Sequence, residues 1–124
     1  MSRGRRTAGF LTILLAGAGV LHAARPEHFD RIVPRQLPGP ARVYTLTSGA
    51  AELLVAGMIA HPRTRRTGGY AAAALLVAVF PANLTMEKQW RSLPARKHRI
   101  ALARLPLQAV LIAQSLHVAR RAET

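Results

Sequence analysis

Apolar residues in this chain fall into four long runs, at about 8–24, 43–60, 68–86 and 100–118, separated by shorter polar stretches. Each run is 17 to 19 residues long. A helix needs about 17–25 apolar residues to cross the hydrocarbon of a bilayer, so each run reaches the required length. An Ala-rich soluble bundle would carry a charged face along every helix. Residues 11–21 and 70–84 carry no charge on any face. The pattern predicts an all-α fold: a four-helix transmembrane bundle of up-down topology, forming one domain over residues 1–124.

The interruptions refine that picture. The first connection, residues 25–42, contains Pro26, Pro34, Pro38 and Pro40, a density that forbids a long helix. Between the first two prolines, "EHFDRIV" has room for one or two helical turns. Pro26 suits the first position, and Glu27 and Asp30 suit the N-terminal end. Phe29, Ile32 and Val33 would then share one side, lying flat at the membrane interface; an irregular loop is the alternative. The second connection, "HPRTRRT", is short and basic. The third, residues 87–99, is basic and contains Trp90, an expected interfacial anchor.

The third run is itself broken by "VFPANLTM". Pro81 lacks a backbone donor, which frees the carbonyl of Val77. In lipid that carbonyl needs a partner within the protein. A kink at Pro81 is therefore expected, with its broken side buried and Asn83 supplying hydrogen bonds, so that the two residues help close a polar pocket. The alternative is an incidental kink in a lipid-facing helix. At the other end of the chain, "MSRGRR" followed by "AGFLTILL" and Ala16-Gly17-Ala18 has the layout of a signal peptide. Apolar residues continue to Ala24, which favours an uncleaved first span.

Composition sharpens the location of the charge. Half of the 124 residues are hydrophobic, yet the net charge is +13. Of the 18 Lys and Arg residues, 17 lie outside the four runs and Arg104 lies within one. Bases clustered between apolar blocks suit loops resting on anionic headgroups. Nucleic-acid binding would need a basic face interleaved with aromatics, so it is not expected. No cysteine is present, which excludes disulfides and Cys-ligated clusters. Four spans put both termini on one side, with eight bases there and nine on the opposite face. The counts nearly balance, but density and the weight of the first span favour cytoplasmic termini.

Ionisable and amide groups inside spans are functional candidates. His22 lies near the end of run one, Asn83 near the end of run three, and Arg104 and Gln108 early in run four. Glu52 is roughly 13 Å deep in run two. All five belong to the midplane or to the half bearing the first and third connections. Thr45, Ser48, Gly49, Glu52 and Ala56 share one small, polar arc, with Leu54 and Met58 pointing away. Arg104, Gln108 and Ser115 share a stripe in run four. The expected pairing sets Glu52 against Gln108 and Arg104. Interhelical glue is the plainer role for these groups. His61 and His117, at span ends beside bases, match each other in depth only loosely, so no haem site is expected. No metal-ligand spacing, catalytic triad or phosphate loop stands out.

"GVLHAARPEHFDRIVPRQLPGP", "SGAAELLVAG" and "HPRTRRTGGYAAAALLVAVFPANLTM" together resemble the DoxX-like family of small four-helix membrane proteins. The resemblance covers about residues 19–86. It departs from the family at Ala23, where an aromatic is common, and at Glu87, where a small residue is common. It implies a plasma-membrane bundle, with interest at His22, Glu52 and Asn83, and an accessory, quinone-associated role beside a membrane oxidoreductase. Catalysis by the chain alone is not expected. Two other readings stay open: a structural or assembly protein without ligand, as a homo-oligomer, and a small proton-coupled transporter using Glu52.

Overall fold

The computed structural model describes residues 3–122; Met1 and Ser2, which open the basic "MSRGRR" stretch, and Glu123 and Thr124 lie outside them. Six helices follow in order: α1 (Arg3–Ala24), α2 (Pro26–Asp30), α3 (Ala41–Ala60), α4 (Arg65–Ala78), α5 (Phe80–Trp90) and α6 (Ala95–Arg121). No strand occurs among the described residues. Helices α1, α3, the α4–α5 pair and α6 are each long and apolar enough to cross a membrane.

Prolines set several boundaries. A residue before proline is disfavoured in the helical region. Arg25, before Pro26, ends α1 with φ −134° and ψ 58°. His61, before Pro62, ends α3 with φ −90° and ψ 125°. The last carbonyls of α3 then find side-chain donors across the turn: Thr64 Oγ1 donates to the Met58 carbonyl at 2.7 Å and Arg65 Nε to that of Ile59 at 2.7 Å. Pro26 opens α2 at its first turn, as expected.

The helices pack in the cyclic order α1, α3, α4–α5, α6 and back to α1, the up-down arrangement expected from the four runs. Both described ends of the chain lie at one end of the bundle: Gly4, Arg5, Pro62, Arg121 and Ala122 line one surface hollow. Glycines permit the closest approaches. A Cβ at Gly49 of α3 would stand 2.6 Å from His22 Cβ on α1, and one at Gly69 of α4 would stand 2.8 Å from Ala119 Cβ on α6.

The polarity is that of a membrane protein. Ile13, Leu54, Val77 and Leu107 are 75, 67, 58 and 52 % exposed, while His22, Glu52, Gln108 and Ser115 are buried. In water that distribution would be costly; in lipid the exposed leucines and valines meet hydrocarbon. Two apolar clusters flank the polar groups. Leu11, Leu15, Val55, Ile59, Ala72 and Val118 form the larger, in the half that carries the chain ends. Ile32, Met86 and Ala101 form the smaller, near the first and third connections.

Two elements differ in detail from expectation. Helix α2 does not lie with its apolar side on the lipid surface. Phe29 stacks on His22, with ring centroids 3.7 Å apart, and Ile32 is buried against Met86 and Ala101. The third helical span does not stop with its apolar run at Met86 but continues to Trp90, and Glu87 is paired in place. Arg91 Nε and Nη2 donate to its two oxygens at 2.8 Å each, and His98 Nε2 lies 3.2 Å from Oε1.

Candidate functional site

Between the two apolar clusters lies a cavity of about 410 Å³, lined by residues of all four spans and of the first connection. His22, Glu52, Asn83, Arg104 and Gln108 all line it. The five residues selected by depth thus meet around one cavity, but their pairing differs from the one expected.

On the α1–α3 side, His22 Nδ1 lies 2.7 Å from the Ala18 carbonyl, an oxygen that only accepts, so Nδ1 carries a hydrogen. Glu52 Oε2 lies 3.4 Å from the same nitrogen, beyond good hydrogen-bond length. Among the described residues, Oε2 is buried without a hydrogen-bond partner. The small arc on α3 explains the contact. Gly49 lets α1 approach one turn away, which carries His22 over to Glu52. Leu54 points out to lipid, as its place on the wheel requires.

On the α4–α6 side, Gln108 rather than Glu52 takes the amide bonds. Asn83 Nδ2 donates to Gln108 Oε1 at 2.5 Å, and Gln108 Nε2 donates to the carbonyl of Leu76. The chain breaks at Val79, between α4 and α5, and Pro81 sits in the first turn of α5. The helix is thus interrupted two residues before Pro81, and a carbonyl at the interruption is satisfied from α6. The carbonyl that Gln108 reaches is that of Leu76, one residue before the expected Val77. Local helical geometry around a break decides which carbonyl turns outward, and the proline alone does not specify it.

Arg104 is half-buried in α6, and its Nη1 approaches Met86 Sδ at 2.9 Å. It makes no ion pair with Glu52. The expected Glu52–Gln108–Arg104 cluster is corrected to three separate contacts around one cavity: His22 with Glu52, Asn83 with Gln108, and Arg104 with Met86. The cyclic order of the helices is the reason, since α3 and α6 stand diagonally across the bundle.

The connection over the cavity is held by Asp30, which the sequence suggested only as an acid for the N-terminal end of the short helix and which stands at its last position. Asp30 Oδ1 accepts from Thr45 Oγ1 at 2.6 Å and Oδ2 from Arg42 Nε at 2.9 Å. The Thr45 hydrogen bond, and then Arg42, hold its carboxyl below the usual carboxylate range. Tyr44 also donates to the Pro38 carbonyl at 2.5 Å. Phe29, expected at the membrane interface, instead forms part of the cavity wall. The "FD" step in "EHFDRIV" is the available signal: one residue reaches down to His22 and the next back to α3.

Four spans around a buried polar cavity define a multi-pass membrane protein of the four-helix-bundle class. Residues 11–119 match a family described as a domain of unknown function (DUF8561), and the chain belongs to that family. No curated protein and no solved structure matches the chain.

Proposed function

We propose that the protein is a DoxX-like accessory subunit of a plasma-membrane redox system, holding a quinone-type molecule in the cavity. The carrying observation is the unsatisfied Glu52 oxygen. A carboxyl kept only to fix helix packing would have its oxygens paired, because unpaired buried polar groups cost about 1–3 kcal/mol. Here Oε2 is buried without a partner, and Glu52 lines a cavity that also contains a histidine, an arginine and an amide pair. That set supports the binding of a flat, largely apolar ring with carbonyl acceptors. Leucine and valine walls suit the ring, and Arg104 and Asn83 are donors for the oxygens. His22 and Glu52 form a pair able to hold a proton beside it. With no cysteine in the chain, electrons would come from a partner oxidoreductase.

The reading takes both termini as cytoplasmic, from the basic density of "MSRGRR" and "HPRTRRT". Purification in mild detergent, lipid extraction and mass spectrometry test the proposal. The expected result is one quinone per chain, lost in Glu52→Leu with the helical content retained. A homo-oligomer free of quinone would overturn it in favour of a purely structural bundle. Proton uptake into vesicles that needs no redox partner and disappears in Glu52→Gln would overturn it in favour of a transporter.

A further inference from the structure

A second hollow, of about 590 Å³, opens at the α1–α6 seam beneath α2. Arg25, Arg31 and Arg104 line it, with Glu27 as the accompanying carboxylate. Among the described residues, none of the three arginines has a carboxylate within ion-pair distance. Arg25 and Arg31 are exposed at the end of the bundle, where a membrane surface would lie. Arg104 is set deeper. Its contact with Met86 Sδ is to a weak acceptor and leaves most of its five donors for another group. The hollow thus carries surplus positive charge at headgroup depth, and its inner member is a guanidinium, whose fork matches a phosphate.

The floor shows what kind of phosphate fits. Ala18 and Leu21 of α1 form it, and Leu21 is 53 % exposed. Leu14 on α1 and Leu107 on α6, one turn from Ala18 and Arg104, are also exposed, and both continue into the lining of the inner cavity. Cations at the surface with apolar side chains running into the bilayer match a molecule with a phosphate head and acyl chains. We infer that this seam binds the headgroup of an anionic phospholipid, with Arg104 and Arg25 holding the phosphate and the α1–α6 leucines receiving the chains. The hollow shares Ala18, Phe29 and Arg104 with the inner cavity and differs from it by Arg25, Arg31 and Glu27, which line the hollow alone.

The test uses the full chain in mild detergent, titrated with phosphatidylglycerol, and native mass spectrometry to count bound lipid. One phosphatidylglycerol per chain is expected, bound about tenfold more tightly than phosphatidylcholine. Loss of one charged hydrogen-bonding group should weaken binding about tenfold in Arg104→Gln, with Arg104→Lys intermediate. Arg25→Gln, an exposed change that leaves the fold intact, should weaken it severalfold. Arg96→Gln, in a basic stretch outside the hollow, should change nothing. Equal weakening by Arg96→Gln would mean a diffuse basic belt and would overturn the site. So would wild-type binding by both Arg25→Gln and Arg104→Gln. Displacement of the lipid by millimolar inorganic phosphate would overturn the assignment to a lipid, because a free anion would then suffice.

Discussion

Gln108 is the most committed single side chain in the polar layer. It is 1 % exposed, accepts from Asn83 and donates to the Leu76 carbonyl. Gln108→Leu keeps the volume but leaves the part-buried Asn83 amide and Leu76 carbonyl without this partner. The expected cost is about 1–2 kcal/mol, since membrane proteins partly compensate such losses in the unfolded state. Asn83→Leu should cost a similar amount, and the double variant less than the sum, because both singles break the same bond. Denaturation in detergent measures all three, and strict additivity would mean that the contact carries no energy. At this scale the candidates were legible and their partners were not. Depth along a span can be counted from the sequence to within a turn. Which of two equally deep groups faces a third depends on helix order and rotation.

At the scale of elements, the strap made by α2 and the prolines after it is the informative case. A short helix at "PEHFD" followed from Pro26 and the acidic first turn. Its docking did not, because it depends on Thr45 and Arg42, which lie on another helix. That docking carries a pH signature. Asp30 titrates below its ordinary value of 3.8 in the folded protein. Its contribution to stability is therefore complete above that value and is lost as the pH falls through the lower, folded-state one. Proteolytic cleavage within residues 31–39 should accelerate in that acidic window. Asp30→Asn should cleave faster at neutral pH and lose this part of the acid dependence. A variant whose acid response matches the wild type would remove Asp30 from the account. Helix α5 teaches the same lesson. Glu87 and Lys88 read as the end of a span, yet helix continues, and Arg91 and His98 meet the carboxylate from the next turn and the next helix.

For the whole molecule, the fold makes a topological statement that orientation reporters can read. The described ends of the chain and the α3–α4 turn share one end of the bundle, and residues 36–39 belong to the other. Reporter fusions after the last residue and within 36–39 should therefore give opposite signals; the basic density of "HPRTRRT" is the separate ground for expecting the C-terminal one to be cytoplasmic. Like signals would contradict four crossings. A periplasmic C-terminal signal would reverse the orientation alone, leaving the bundle as described.

Hydrophobic run length, the uncharged faces and the proline positions are local properties, and they were enough to determine four membrane helices, their alternating direction, the break in the third and the depth of each polar group. Backbone hydrogen bonding in lipid leaves a 17- to 19-residue apolar run little choice but a helix. Partners across helices are not local. Gly49 beside His22 draws α1 onto α3, and Gly69 beside Ala119 draws α4 onto α6. Those two contacts, and not the matching depths of Glu52 and Gln108, decided that the acid faces a histidine, that the amides face each other, and that Arg104 reaches Met86 and not the acid.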